Sequence, residues 1–508
     1  MFEKRLSGVL AHPTSFPGPF GMGDLGCGAY SFIDFLKQAK QKLWQVLPLG
    51  PTGYGDSPYQ SFSSFAGNHY LISPALLKEQ GWLTQADLVD PGFDPRAIDY
   101  GPVIEYKMGL LKKAYTAFKT QATPADKHKF DKFCKRHSSW LEDYALFMAL
   151  KDHHGGAPWT DWPSKLAHRD PVSLAAMWVE LADEINLTMF LQYVFFRQWG
   201  SLLTYANDAG IQIIGDIPIF VSMDSADIWA NPELFALDKD GTPVGVAGVP
   251  PDYFSETGQL WGNPLYKWSA HKETDFKWWC QRVNATLRFV DIIRIDHFRG
   301  FESFWSVPYG AETAIDGKWL EGPGRALFEA LEAKLGQLPI IAEDLGIITP
   351  EVESLRTGLK LPGMKVLQFA FDPEARSEYL PHLYEDSRTV VYTGTHDNDT
   401  TKGWYENATE AEKDYLRRYL NISGENVAWD MIRLAFSSIG AFAVVPIQDV
   451  MNLGSKDRMN QPGSAMGWWR FRYTQDMLLE KYQKQLEYLS ELFHRNEEEE
   501  EEEPIALV

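Results

Sequence analysis

Short apolar runs recur along the chain, and helical or loop-like stretches separate each run from the next. Near-continuous apolar runs bounded by helical segments are typical of the buried strands of a parallel α/β sheet. Seven runs fit this description: 43–49, 211–219, 288–296, 339–345, 364–371, 388–394 and 440–447. They leave room for one further strand that the pattern does not locate. We therefore predict an α/β fold, a (β/α)8 TIM barrel with inserted, largely helical subdomains.

The stretches between these runs differ in character. Proline and glycine punctuate residues 1–28, which the pattern predicts to be a loop. Apolar residues at helical spacing predict a helix over 29–42 and long amphipathic helices at 104–119, 126–153 and 173–207.

These elements suggest how the chain is divided. We predict a single catalytic barrel over residues 1–494, with insertions at about 50–207 and 222–287, the latter a loop region that covers the cleft. A helix near 474–493 precedes seven consecutive glutamates, Glu497–Glu503. Such a charge run is usually solvated, so we expect residues 495–508 to form an acidic, disordered tail without a catalytic role.

Charge and cysteine content narrow the classes of partner and compartment. The chain carries 48 Lys and Arg against 69 Asp and Glu, a net charge of −21, which repels nucleic acid and anionic membranes. Three widely spaced cysteines, Cys27, Cys134 and Cys280, favour a reducing compartment and argue against a structural zinc site. Neither a secretion signal nor an apolar run of about 20 residues is evident. We expect a cytoplasmic enzyme without metal or cofactor, or a plastid-stroma enzyme whose transit peptide was removed.

Aromatic residues make up 14% of the chain, including 18 Trp and 22 Tyr. One interpretation is a large core that uses aromatic rings as volume. The other is a carbohydrate groove, in which aromatic rings stack on the apolar faces of sugars. Composition alone leaves both open.

Acidic residues stand at the ends of four predicted strands. They are Asp216, Asp296, Glu343 and Asp397. Catalytic groups in a barrel project from the carboxyl ends of the strands, and charges there are costly to bury unless they are paired or used. The four strand ends together indicate a site.

Retaining cleavage of a glycosidic bond needs a carboxylate and a carboxylic acid about 5–5.5 Å apart. Neighbouring parallel strands lie about 4.8 Å apart, so Asp296 and Glu343 could face each other across one sugar. Asp296 is the better nucleophile, because Arg294 on the same side of its strand would hold it ionised. Glu343 is the better acid/base, with its pKa raised by the neighbouring negative charge. Asp397 would stabilise the oxocarbenium-like transition state, with His396 beside it as a donor.

Each of these residues also has a simpler interpretation. A single Asp at a strand end is more often a helix N-cap or half of a loop ion pair. Arg294 and Asp296 could form only a salt bridge of the barrel, and His396 could be a core histidine. Because acidic residues stand at four strand ends, it is less plausible that the simpler interpretation holds for all of them at once.

The segments that carry these residues resemble the amylomaltase family, the 4-α-glucanotransferases of glycoside hydrolase family 77 in the α-amylase clan. The resemblance rests on RIDHFRGFESFWSVP (294–308), IIAEDLG (340–346) and GTHDNDT (394–400), and on further matches at 12–26, 55–68, 215–235 and 246–266. It extends from about residue 5 to residue 475. Because no single motif carries it, the resemblance is very specific.

The resemblance implies a (β/α)8 barrel with inserted subdomains and the same three roles: Asp296 as nucleophile, Glu343 as acid/base and Asp397 as transition-state stabiliser. It also implies a set of residues that bind the glucan. Asp216, Arg294 and His396 would hold the sugar at the cleavage point, with Tyr59 stacked there. A loop over the cleft (246–262) would contact the acceptor through Phe254, Glu256, Gln259 and Trp261; Asp372 would be a further acceptor-side ligand, and Tyr54 matches a possible second glucan site.

One position departs from the family pattern. The family usually reads RMN-x-PG followed shortly by Gly-Asn-Trp, whereas residues 458–472 here read RMNQPGSAMGWWRFR. Trp468 stands where that Asn is expected. If the Asn contacts a sugar hydroxyl, its loss alters acceptor preference; otherwise the change is one of packing.

The resemblance implies a glucan-transferring enzyme whose partners are α-1,4-glucans such as maltooligosaccharides, amylose and starch, with cyclisation of amylose as a further product. A monomer is the simplest assembly. The alternative enzyme is an amylase-type retaining hydrolase, because both classes share the carboxylates. A glycan-binding protein that has lost catalysis is the alternative outside enzymes, and the presence of all three carboxylates argues against it.

Overall fold

A computed structural model describes residues 2–251, 255–374, 377–464 and 466–496. Its strands, numbered in chain order, are β1 (Leu6–Leu10), β2 (Leu43–Gln45), β3 (Gln212–Pro218), β4 (Gly245–Val249), β5 (Gln259–Pro264), β6 (Ile292–Asp296), β7 (Ser303–Pro308), β8 (Lys318–Glu321), β9 (Ile340–Ala342), β10 (Gly363–Val366), β11 (Thr389–Tyr392) and β12 (Phe442–Pro446).

Eight parallel strands form the central sheet, in the order β10-β11-β12-β1-β2-β3-β6-β9. The two ends of this sheet meet where the backbone N–H of Ala342 donates to the carbonyl of Pro362, at 2.9 Å, beside β10. The sheet therefore closes nearly into a barrel, and the predicted (β/α)8 fold is confirmed.

All seven predicted runs contain a barrel strand, and the missing eighth is β1. It lies within residues 1–28, so the prediction of a loop was wrong there. Ser7 and Gly8 interrupt the apolar run LSGVL, which hides the strand from a pattern search. Pairing with β12 and β2 on its two sides supplies what the local pattern lacks. Gly8 is needed for that pairing, since a Cβ there would lie 2.3 Å from the carbonyl oxygen of Leu43.

Helices fill most of the connections. They are α1 (Cys27–Gln38), α2 (Pro74–Glu79), α3 (Tyr100–Gln121), α4 (Pro124–His153), α5 (Ser164–Ala167), α6 (Pro171–Glu180), α7 (Ala182–Asp208), α8 (Ala226–Ala230), α9 (Trp268–Glu273), α10 (Lys277–Thr286), α11 (Arg325–Leu335), α12 (Pro350–Gly358), α13 (Thr401–Asn407), α14 (Glu410–Leu420), α15 (Val427–Ser437), α16 (Ile447–Val450) and α17 (Glu480–Leu492). None of the helices within the described ranges is long and apolar enough to cross a membrane.

Local sequence sets several of these helix ends. At the start of α4, Thr123 and Asp126 form a reciprocal capping box and Pro124 occupies the first helical position.

The predicted helix 173–207 is in fact two helices, α6 and α7, which meet at Leu181. The helix predicted near 474–493 is shorter at its start and begins at Glu480.

Side chains alternate between the two faces of the barrel strands, and this alternation positions the site. The inward face carries a separate small apolar cluster, which includes Leu43, Ile214, Ile292, Ile341, Met364 and Val390. The outward face joins the large core beneath the surrounding helices, for example through Trp44, Ile213 and Ile293. Because residues two apart share a face, Asp216, Arg294 and Asp296 point into the barrel above this inner cluster.

A second, antiparallel sheet has the order β5-β4-β7-β8. Its strands β4 and β5 come from the predicted insertion at 222–287 and pair with each other, but β4 also pairs with β7, which follows the barrel strand β6. The inserted unit therefore extends past the predicted boundary, because a two-stranded hairpin needs further strands to bury its apolar face.

The chain end also differs from its predicted boundary. Arg495 was assigned to the acidic tail, but its guanidinium is fully buried and donates to the carbonyls of Phe436 (2.6 Å), Ser438 (2.9 Å), Gly440 (3.0 Å) and Leu6 (3.2 Å). It thus ties the end of α15 to the entry of β1. Residues 497–508 lie outside the described ranges.

Replacing Arg495 by Met should destabilise the fold by at least about 3 kcal/mol, because several buried carbonyls lose their donor. Thermal melting and urea titration measure the change. Arg418→Met is the matched control, since the Arg418 side chain is 73% exposed and its ion pair should contribute less than about 1 kcal/mol. Equal losses in the two variants would contradict the role of Arg495.

Candidate active site

A buried guanidinium joins two of the predicted carboxylates. Nη1 of Arg294 lies 2.6 Å from Oδ2 of Asp216 and 3.0 Å from Oδ1 of Asp296. The register that pairs Asp216 with Arg294 across β3 and β6 makes the first contact, and the two-residue spacing on β6 makes the second. Because the side chain of Arg294 is only 5% exposed, its charge is compensated by these carboxylates rather than by water.

Asp296 and Glu343 occupy matching positions on neighbouring strands. β6 and β9 pair in a register that places Ile295 opposite Ala342, so the next residues of both strands are Asp296 and Glu343 on the same face. The backbone continues this pairing, since the N–H of Glu343 donates to the carbonyl of Ile295 at 3.0 Å. The predicted adjacency of the two acids is therefore present in the fold.

Backbone amides hold the Glu343 carboxyl. Oε2 accepts from the N–H of His297 at 2.6 Å, and Oε1 accepts from the N–H of Leu345 at 3.0 Å. His297 adopts a left-handed conformation (φ +54°) that directs its N–H toward Glu343. These two bonds orient the carboxyl group.

Burial raises the pKa of Glu343 to about 8; Arg294 lowers it, and Asp296 raises it further. The direction agrees with the sequence-based prediction, but that prediction named the neighbouring charge as the cause. Burial is the larger cause, because the charged form loses solvation whether or not a second carboxylate is nearby. Burial likewise raises the pKa of Asp216, and Arg294 opposes that shift.

Three aromatic rings form a wall beside the carboxylates. The ring of Tyr59 stacks on His396 with centroids 5.1 Å apart and planes at 15°, and Trp469 lies 5.8 Å from His396. The hydroxyl of Tyr59 donates to Oδ2 of Asp216 at 2.7 Å. Burial lowers the pKa of His396, which favours the neutral imidazole over the cation.

The third predicted acid, Asp397, follows β11 on an irregular segment. Its Oδ1 lies 3.4 Å from Nε2 of His396 and accepts from Nδ2 of Asn460 at 2.6 Å. The Asp397 side chain is 44% exposed, in contrast to the buried Arg294 and Asp216. It is therefore open to a ligand in the cleft.

A buried carboxylate anchors the segment that carries His396 and Asp397. Asp449, on α16, accepts from the hydroxyls of Thr393 and Thr401 at 2.6 Å each and from the N–H of Thr401 at 2.7 Å. These bonds clamp both ends of residues 393–401. The segment is consequently positioned by the last barrel strand as well as by its own.

The hairpin between β4 and β5 supplies the residues expected on the acceptor side. The rings of Trp261 and His297 form a T-shaped pair, with centroids 4.7 Å apart and planes at 86°, and Nε1 of Trp261 donates to Oε1 of Gln259 at 3.1 Å. Both residues thus lie beside the turn that follows Asp296. Glu256 is exposed at the hairpin tip, and Phe254 lies outside the described residues.

Two predicted ligands, Asp372 and Tyr54, stay predictions. Asp372 is exposed and accepts from the N–H of Glu374 at 2.9 Å, within its own loop. Tyr54 begins the short 3-10 turn Tyr54–Asp56, but its side chain lies outside the described part of the chain. No group of three or more His, Cys, Asp or Glu within the described residues is placed to hold a metal ion.

Sequence reasoning missed Asn460, Trp469 and Asp449. Asn460 and Trp469 lie in the 458–472 segment, which departs from the family pattern at Trp468. Trp468 itself lies under the guanidinium of Arg458, whose carbon is 5.9 Å from the ring centroid. Asp449 carries no local signal, because a single Asp in an apolar stretch resembles any buried polar residue.

Comparisons with known proteins agree on one family. The family profile described as 4-alpha-glucanotransferase matches residues 11–478. The 4-alpha-glucanotransferase of Thermus thermophilus is 50% identical over 498 residues, covering 97% of this chain and 99% of that protein. The chloroplastic/amyloplastic 4-alpha-glucanotransferase of Solanum tuberosum is 44% identical, covering 92% of this chain and 82% of that protein. The structure of amylomaltase from Streptococcus agalactiae in complex with acarbose is similar with a TM-score of 0.94 and 41% identity, covering 97% of this chain and all of that one.

Glu343→Gln should change the pH dependence of stability. Since the pKa of Glu343 is about 8 in the fold against an ordinary 4.5, the folded state binds the proton more tightly than the unfolded state. The free energy of unfolding should fall as the pH rises from 4.5 to about 8. The loss should be about 1.4 kcal/mol per unit of pKa difference. Gln cannot ionise, so the variant should lose less stability, as measured by urea unfolding across the window.

Glu329→Gln, an exposed replacement on α11, is the matched control and should follow the wild type. Parallel loss of stability in Glu343→Gln and the wild type would contradict the shift.

Proposed function

The chain belongs to the 4-alpha-glucanotransferase family, and we propose that it moves a segment of an α-1,4-glucan to the 4-hydroxyl of an acceptor glucan or glucose by a retaining double displacement. The observation that carries the mechanism is the pairing of two unlike acids on adjacent strands. Asp296 contacts a buried cation at 3.0 Å, whereas burial raises the pKa of Glu343 to about 8. One acid thus pairs with a cation, and the other favours its protonated form.

In the first step, an oxygen of Asp296 attacks the anomeric carbon of the sugar at the cleavage point. The bond from that carbon to the glycosidic oxygen breaks, and Glu343 gives its proton to that oxygen. The reducing-end piece leaves, and the remaining segment stays as an ester on Asp296. The spacing of about 4.8 Å between neighbouring strands supports this assignment, since retaining enzymes need about 5–5.5 Å.

In the second step, Glu343 is the carboxylate left by the first. It accepts the proton of the acceptor 4-hydroxyl as that oxygen attacks the anomeric carbon. The ester bond to Asp296 breaks, and the carboxylate of Asp296 is restored. Two inversions give net retention of the α configuration.

The surrounding residues bind the sugar while positive charge develops on its ring. We assign Asp397 to the ring hydroxyls and to the oxocarbenium-like transition state, because its carboxylate is open to the cleft. We assign the neutral His396 to donation toward the same sugar. The ring of Tyr59, stacked on His396 and bonded to Asp216, supports its role as the apolar surface beneath that sugar. Such fixed donors and charges act without reorganisation during the reaction.

Transfer rather than hydrolysis requires that a sugar reaches the ester before water does. The hairpin between β4 and β5, with Trp261 against His297, supports an acceptor platform beside the reacting carbon. An acceptor seated there would exclude water. An amylase-type hydrolase, which would use the same carboxylates, is not favoured, since the relatives that match nearly the whole chain are named for glucan transfer.

We propose maltooligosaccharides, amylose and starch as the glucans used, with cyclic products when the acceptor is the other end of the same chain. We also propose a reducing compartment, either the cytoplasm or a plastid stroma. All three cysteines are unpaired thiols, which supports the reducing environment.

Maltotriose as the sole substrate tests transfer. Disproportionation should yield glucose together with longer oligomers, while the number of reducing ends stays constant, because each broken bond is replaced by a new one. Chromatography of the products and a reducing-end assay measure both quantities. A rise in reducing ends equal to the number of bonds cleaved would refute transfer and favour hydrolysis.

Asp296→Asn tests the nucleophile. An amide cannot form the ester, so the rate of maltotriose disproportionation should fall by several orders of magnitude, about 10⁴-fold or more. Asp316→Asn, a replacement of an exposed residue, is the matched control and should keep wild-type activity. Full activity in Asp296→Asn would sink the mechanism, and a chain that binds amylose but shows no turnover even as the wild type would be a glycan-binding protein instead.

A further inference from the structure

Two segments that are far apart in sequence meet at the third acid. Residues 393–401 follow β11 and carry His396 and Asp397, and residues 458–469 follow the barrel. The N–H of Asn460 donates to the carbonyl of His396 at 3.1 Å, and Nη2 of Arg458 donates to the carbonyl of Asp397 at 2.5 Å. The N–H of Trp469 in turn donates to the carbonyl of Met459 at 2.8 Å. The later segment is thus fixed against the backbone of the earlier one.

A single side chain extends this contact to the Asp397 carboxylate itself. Nδ2 of Asn460 donates to Oδ1 of Asp397 at 2.6 Å. Arg458 binds the carbonyl and not the carboxylate, so the group that holds the acid is a neutral amide. His396 is farther away, with Nε2 at 3.4 Å from the same oxygen. No hydrogen bond among the described residues has Oδ2 of Asp397 as its acceptor.

Arg458 holds Asn460 from the other side. Its Nε donates to the carbonyl of Asn460 at 2.5 Å, while its Nη2 donates to the carbonyl of Asp397. The guanidinium lies over the ring of Trp468 at 5.9 Å, which gives it an aromatic surface in addition to its two acceptors. Trp468 therefore has a packing role at the position where the family pattern expects Asn.

We propose that Asn460 is a positioning residue that fixes the rotation of the Asp397 carboxylate. Oδ1 is then occupied by the protein, and Oδ2 is presented to the sugar. The Arg458–Trp468 pair holds Asn460 in that place. This inference rests on the proposed function of Asp397. The physical reason is that the Asp397 side chain is 44% exposed and would otherwise rotate freely. A carboxylate that must be fixed at the transition state gains from an orientation set before the substrate binds.

Asn460→Ala removes the donor and should lower kcat for maltotriose disproportionation on the order of 10²-fold, with KM changed only a few fold, since misplacement of a catalytic group by about 1 Å costs that much. Asn460→Gln keeps the amide but displaces it by one methylene. It should also lower kcat, and it keeps the test valid if the Ala variant does not fold.

Asn460→Asp tests the pH profile of kcat/KM, which should not change if the role of Asn460 is purely structural. Two carboxylates 2.6 Å apart cannot both ionise readily, so one takes up a proton at a higher pH than a single carboxylate does. The acid limb of the kcat/KM profile should therefore move to higher pH. The other charged or titratable groups near Asp397 are unchanged: His396 and Tyr59 on one side, Arg458 and Asp399 on the other, and Arg294 and Asp296 beyond His396.

Asn186→Asp, an exposed replacement on α7, is the matched control and should keep the wild-type rate and profile. Wild-type kcat in both Asn460→Ala and Asn460→Gln, or an unmoved acid limb in Asn460→Asp, would overturn the inference. Asp397→Asn distinguishes failure of the Asn460 role from failure of the Asp397 role. If Asp397→Asn is inactive while the Asn460 variants are normal, only the role of Asn460 fails. If Asp397→Asn is fully active, the proposed function of Asp397 fails as well.

Discussion

A guanidinium buried inside a barrel has to be compensated by charge, and this requirement organises the site. Arg294 has almost no contact with water, and Asp216 and Asp296 supply the two carboxylates that replace its solvation. The three residues meet at the carboxyl ends of β3 and β6. A third acid placed beside them, Glu343, is favoured in its protonated form chiefly because it is buried, and the neighbouring Asp296 adds to that preference. The contrast between Asp296 and Glu343 follows from the burial of Glu343 and from the contact of Asp296 with Arg294.

The barrel interior is arranged in layers that make this charge cluster possible. Apolar side chains such as Ile214, Ile292 and Ile341 fill the lower part. Above them the hydroxyl of Tyr392 donates to Oε1 of Gln45 at 2.8 Å, so the polar atoms nearest the core are satisfied. These packed apolar layers exclude water from below the charges. The chemistry is in this way confined to the carboxyl ends of the strands.

The third acid is built differently from the first two. Asp296 and Glu343 end their strands directly and inherit the rigidity of the sheet, whereas Asp397 lies five residues beyond the end of β11. That separation is offset by tertiary contacts, since Asp449 clamps residues 393–401 from α16 and Asn460 reaches the carboxylate from the far end of the chain. An acid on a loop is thereby given a defined position without becoming buried. It remains open to the hydroxyls of a sugar.

The sequence by itself determined the fold class, seven of the eight barrel strands and the acids at their ends, because an apolar run that ends in Asp or Glu is a local feature. Strand β1 was not predicted, since LSGVL becomes a strand only through pairing on both sides. That pairing depends on the close approach of Gly8 to Leu43. Only the tertiary structure decided that Ile295 faces Ala342, which sets Asp296 beside Glu343, that burial more than charge raises the pKa of Glu343, and that Asn460 meets Asp397. Register, desolvation and contacts between residues 63 positions apart depend on how the whole chain closes on itself, and no local pattern records them.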